Sequence, residues 1–117
     1  MIKIEICTHI DGFAAQVAET VIVGGAKAEG RQADAIKAAH TAIEGALRLM
    51  RPGGTNTQVS VAVQNVAKAF GCKLVEGSLS HQIEQNELDG AKAIYFNTPD
   101  SQKKEVEEVI LSSCLPP

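Results

Sequence analysis

Glu5 and Gln16 are the two side chains whose spacing raises a question of metal chemistry. Ile2, Ile4 and Ile6 alternate with Lys3, Glu5 and Cys7, a period of two that predicts a strand with one apolar face. Asp11-Gly12 follows, and then a run rich in β-formers from Phe13 to Val23. Asp-Gly between two such runs predicts a hairpin, because both positions of a two-residue loop require φ > 0. With Asp11 and Gly12 as the loop, Ile10 faces Phe13 and paired positions sum to 23. Glu5 then opposes Ala18, and Cys7 opposes Gln16. Residues 5 and 7 share a face, so Glu5 and Gln16 are diagonal neighbours on it. Two carboxylates placed in this way could hold a pair of cations, which need bridging anionic oxygens. Here one of the two is a carboxamide, which offers a single neutral oxygen.

The other reactive side chains favour plainer readings. Cys7 and His9 lie two residues apart on a strand, roughly 6.5–7 Å, too far for a direct nucleophile–base hydrogen bond. His9 and His40 read as structural or exposed. His81 sits in the polar run Glu76 to Gly90 and reads as a surface-loop histidine more readily than as the holder of a lone metal. Glu5 itself reads as a solvated strand residue. Neither Gly24-Gly25 nor Gly53-Gly54 has the glycine-plus-lysine pattern of a phosphate loop. Lys103-Lys104, the only basic doublet, reads as solvated. Three cysteines, Cys7, Cys72 and Cys114, have no metal-like spacing, and predict reduced thiols in a cytosolic or nuclear protein.

The elements that must position these residues are few. The 117 residues suit one compact domain at most. Aromatics make up 3% and Trp is absent, so the core is expected to be built from Ala, Val, Ile and Leu. These bury less area each than rings do, which makes a thin core that is marginal alone. Fourteen acidic residues against eleven Lys and Arg give a net charge of −3, no basic footprint for nucleic acid. No apolar run approaches the roughly 20 residues that span a bilayer, and the opening MIKIEICTHIDG alternates rather than forming a signal peptide. Ile36, Ala39, Ile43, Ala46, Leu47 and Met50 predict an amphipathic helix over 31–50, stopped by Arg51-Pro52-Gly53-Gly54. Thr55, Asn56 or Thr57 can cap a second helix with the stripe Val59, Val63, Val66 and Phe70, ended by Gly71. Cys72 to Val75 and Ala91 to Phe96 read as short strands, and Glu76 to Gly90 as a loop. Thr98-Pro99-Asp100 breaks the last strand, and Ser101 to Leu111 fits either helix or strand. The chain opens directly inside a strand, with one hairpin edge exposed.

Long runs of the sequence carry a resemblance. KIEICTHIDGFAAQVAETVIV resembles the metal-binding hairpin of type 2 methionine aminopeptidases, in which two aspartates stand where Glu5 and Gln16 stand here. The histidine that follows in that family matches His81. Its last two glutamate ligands have no match, and Glu105, Glu107 and Glu108 are not assigned to those roles. GRQADAIKAAH, ALRLMRPG, NTQV and EGSLSHQIEQ with the following DG are similar to the proliferation-associated (ErbB-receptor-binding) proteins, a non-peptidase branch of the same superfamily. The likeness covers most of residues 1–98 and fades after Lys104.

The resemblance implies an α+β, partial pita-bread fold in which 1–117 form a single incomplete domain, without the family's N-terminal half and C-terminal strands. It implies no catalysis and no cofactor, with Glu5, Gln16 and His81 as vestigial metal positions. It further implies binding to RNA, ribosomes or regulatory proteins, control of growth and transcription, and residence in cytoplasm and nucleus or nucleolus. A metal-dependent methionine aminopeptidase is one alternative. The other is an inactive piece that forms a homo-oligomer through the exposed edge of its N-terminal hairpin.

Overall fold

The computed structural model describes residues 1–97. Strands β1 (Ile2–Ile10) and β2 (Phe13–Val21) form the expected hairpin, with the register running from Ile2 opposite Val21 to Ile10 opposite Phe13. The loop residues take φ of 51° at Asp11 and 84° at Gly12, as a mirror-image turn demands.

Helix α1 covers Gly30–Leu49 and helix α2 covers Asn56–Ala69. Of the three cap candidates, Thr55 is the one used. Its hydroxyl accepts from the Gln58 N–H at 3.3 Å, and the Gln58 side chain accepts from the Thr55 N–H at 3.3 Å. Gly71, at φ 62°, ends α2: its N–H donates to Lys68, and the Cys72 N–H to Ala67.

The third strand is not where the sequence pattern predicts it. Cys72 to Val75 form no ladder; β3 is Leu79–His81, inside the run expected to be loop, and pairs antiparallel with β4, Ala93–Tyr95. Leu74 serves packing instead: it lies against the core, and its carbonyl accepts from the Asn97 amide at 3.0 Å, while Val75 is exposed. Polar side chains at 79–81 are no obstacle, because the pairing is made by backbone bonds. The chain turns between these strands at residues 84–87, where Asn86 takes φ 61°. The expected breaker at 98–100 and the element at 101–111 lie outside the described residues, as do Lys103, Lys104, Glu105, Glu107, Glu108 and Cys114.

The core sits between α1, α2 and β4. Ala46, Val59 and Val63 are buried there, flanked by Ala42, Leu49, Met50, Leu74, Ile94 and Phe96. Ser60 Oγ donates to the Tyr95 carbonyl at 2.6 Å, and Gln64 Nε2 to that of Phe96 at 3.0 Å, fastening β4 to α2. The α1 stripe needs a correction. Ala38 and Ala46 are buried, while Ile43 and Leu47 are 59% and 63% exposed. Alanines every fourth residue let α2 approach α1 closely, so the helices meet along that flank. The bulkier flank, Ile36–Ile43–Leu47, is left facing the hairpin.

Candidate functional site

The hairpin is tied at its tip to the turn between β3 and β4. The Asn86 N–H donates to the Gly12 carbonyl at 2.8 Å, and Gln85 Nε2 to that of Asp11 at 2.9 Å. Gly12 has no room for a side chain, since a Cβ there would run into the Asn86 amide. From this pivot the strands lean over α1 and leave an open groove of about 700 Å³. Its hairpin wall includes Glu5, Cys7, Gln16 and Ala18. Ile43, Leu47 and Met50 of α1 form the floor, and Leu79, Ser80 and Phe96 close the far side. A smaller recess beside it is bordered by Ile36, Ala39, His40 and Ile43 on α1 and by Ala18, Glu19 and Thr20 on β2.

Two of the three sequence-predicted positions meet here. Glu5 opposes Ala18 and Cys7 opposes Gln16, so Glu5 and Gln16 are diagonal neighbours lining one groove. His81 does not join them as a loop residue. It is an exposed residue of β3, opposite Ala93, and the groove wall there is made by Leu79 and Ser80. The short strand fixes it on a ladder that the polar character of 76–90 did not announce.

Glu5 has a partner already. Its carboxylate forms an ion pair with the Lys3 ammonium on the same strand face. That ammonium, first as a hydrogen-bond donor and then through its charge, holds the Glu5 carboxyl below its ordinary value. Cys7 is a free, exposed thiol; His9 and His40 are also exposed. Among the described residues, no three His, Cys, Asp or Glu side chains are grouped so that they could share a metal ion. The apolar floor from Ile43 and Leu47 escapes sequence reasoning, because the helix pattern reads these two residues as interior.

The sequence matches the profile of metallopeptidase family M24 over residues 1–111. A protein of Arabidopsis thaliana named ErbB-3 binding protein 1 is 48% identical over 108 residues, covering 92% of this chain and 28% of that protein. Proliferation-associated protein A of Dictyostelium discoideum is 40% identical over 111 residues, 92% of this chain and 29% of that one. A methionine aminopeptidase of Methanothermus fervidus is 30% identical over 94 residues, 73% of this chain and 50% of the enzyme. The chain thus spans under a third of the length of the first two relatives.

Proposed function

The chain belongs to metallopeptidase family M24, with its pita-bread fold, and from that premise we propose that it is a non-catalytic member that works by binding. One observation carries the reading: Gln16 stands diagonal to Glu5 in the groove. A dinuclear hydrolase clasps two cations roughly 3.5–4 Å apart and needs bridging anionic oxygens to offset their mutual repulsion. The residues present do not fit that pair. Gln16 brings a neutral oxygen, Glu5 is engaged by Lys3, and His81 lies outside the groove walls. A glutamate is also one methylene longer than an aspartate, which moves its carboxylate by about 1 Å, enough to spoil a preorganised site.

The partners in this reading are RNA, ribosomes and regulatory proteins, in cytoplasm and nucleus, with a role in control of growth. The likeness to proteins named ErbB-3 binding protein 1 and proliferation-associated protein A supports a regulatory-protein partner and a link to growth; RNA, ribosomes and location rest on the resemblance of the sequence runs alone, and the net charge of −3 adds nothing to them. Residues 1–117 act in it as one incomplete domain.

The test is direct. The protein, with excess cobalt or manganese, is incubated with a Met-Ala-Ser peptide, and free methionine is measured. The expected result is no release above the protein-free control. Release of methionine would establish the aminopeptidase reading that the archaeal relative suggests. In parallel, fluorescence anisotropy with a labelled structured RNA is expected to show saturable binding that weakens as salt is raised. A flat anisotropy trace would remove RNA from the list of partners.

A further inference from the structure

The chain holds two Asp-Gly pairs, Asp11-Gly12 and Asp89-Gly90, and the fold treats them in opposite ways. An aspartyl carboxyl can be attacked by the next backbone nitrogen, and a following glycine has no side chain to hinder that approach. The nitrogen must be free, and the peptide must be able to turn. The five-membered ring closes when ψ of the aspartate is near the value of about −120° found at the first central position of a type II′ turn. Gly90 meets neither condition. It is buried, its N–H donates to the Gln82 carbonyl at 2.9 Å, and that oxygen lies where a Cβ would stand.

At the hairpin tip both conditions are within reach. The Gly12 N–H has no hydrogen-bond partner among the described residues. Asp11 stands at φ 51° and Gly12 at 84°, which makes the loop type I′. Types I′ and II′ are both hairpin loops and share a positive φ at the first position; they differ by rotation of the peptide unit between the two central residues. Turning the Asp11–Gly12 peptide therefore brings ψ to the ring-closing value without unpairing the strands. One group resists that turn. The rotation swings the Asp11 carbonyl across the loop, and that carbonyl accepts from Gln85 Nε2 at 2.9 Å.

We propose that Asp11 is a site of spontaneous conversion to isoaspartate, with Gln85 as the brake on its rate. The Gly12 nitrogen loses its proton and bonds to Asp11 Cγ, a Cγ–O bond breaks, and water leaves, which gives a succinimide. Water then adds at the Asp11 carbonyl carbon and breaks its bond to the Gly12 nitrogen. The main chain now runs through Cβ and Cγ, and the former carbonyl is a free carboxylate, so charge and oxidation state are unchanged. The loop has gained a methylene, which a two-residue turn does not accommodate, and the carbonyl that Gln85 held is gone. Conversion therefore releases the hairpin tip from the β3–β4 turn. The reacting atoms belong to consecutive residues and the brake to residue 85, so the step involves no surface beyond these two turns. It is independent of whether the groove binds metal or the protein binds RNA.

The protein is aged at neutral pH in heavy-oxygen water and digested with trypsin in ordinary water. Each passage through the succinimide leaves a heavy oxygen, read by mass in the peptide of residues 4–27 for Asp11 and in that of residues 74–92 for Asp89. In urea both peptides are expected to gain label. In the folded protein Asp11 is expected to gain it and Asp89 not. Gln85→Ala is expected to raise labelling at Asp11 by about two- to tenfold, the factor that one ordinary hydrogen bond represents, and to leave Asp89 unlabelled. In the converted protein, separated by chromatography, the Asn86 amide should exchange faster than in the parent. A folded protein unlabelled at Asp11 overturns the proposal, as does equal labelling at both sites. So does a Gln85→Ala rate equal to the parent's, label at Asp89 in that variant, which would mean a loosened fold and not a lost brake, or an Asn86 amide unchanged by conversion.

Discussion

Val59 on α2 has no exposed surface, whereas Ile10 at the end of β1 is 77% exposed. Both belong to well-formed elements with clear sequence signals, a capped helix in one case and an Asp-Gly hairpin in the other. The difference lies in what covers them. The helices cover each other through alanines and valines and are sealed by β4. The hairpin is held at its tip by two hydrogen bonds to the 85–86 turn, and every residue of β1 is exposed. Local backbone chemistry is therefore enough to specify the strand pairing, while burial requires a second surface. The groove that contains Glu5 and Gln16 is a product of that imbalance, because it opens where the hairpin and α1 fail to meet.

The largest effect should come from the covered side. Val59→Ala removes two methyl groups from the one side chain with no exposure among the described residues, and is expected to cost about 2–3 kcal/mol through lost transfer energy and a residual cavity. Urea denaturation followed by helical ellipticity measures it. A cost near zero would mean that the α1–α2 contact is not a core, and the contrast with the hairpin would vanish.

Next in size is the pivot. Gly12→Ala forces a side chain into φ 84° and against the Asn86 amide. The expected cost is about 1–2 kcal/mol, confined to the hairpin. Amide exchange of β1 and β2 should accelerate while that of α1 and α2 stays unchanged. If helix amides accelerate equally, the two regions are one cooperative unit and the comparison fails. Thr55→Ala should then cost about 1 kcal/mol, by removing the acceptor for the Gln58 N–H. That loss should appear in α2 and spare the hairpin, the mirror image of the Gly12 result.

The same contrast decides what was legible in the sequence. Asp11-Gly12 fixes the loop, the loop fixes the register, and the register alone places Glu5 diagonal to Gln16. Thr55 and Gly71 are legible for the same reason, since caps act on their own neighbours. What failed to show depends on partners far along the chain. β3 exists because β4 offers it backbone groups about fourteen residues away, and no local pattern at 79–81 marks it. That hidden ladder is also why His81 turned from a loop residue into a strand residue. In the site, the charged and polar wall was legible and the apolar wall was not, because Ile43 and Leu47 carry the periodicity of core residues.

The smallest expected effect is the sharpest test of that last point. Leu47→Ser would be severe if α1 buried the stripe that its sequence displays, since a buried leucine contributes several kcal/mol. With Leu47 63% exposed, the change should stay within about 0.5 kcal/mol in the monomer. Ala46→Leu, one residue earlier, should cost about 1–3 kcal/mol, because Ala46 is buried against Val59 and Val63 and a larger side chain there pushes the two helices apart. The two neighbours thus invert the usual rule that large apolar residues matter and alanines do not. Paired urea curves measure both. If Leu47→Ser proves the costlier change, the hairpin sits down on α1 in solution, the groove is closed, and Glu5 and Gln16 are brought under cover.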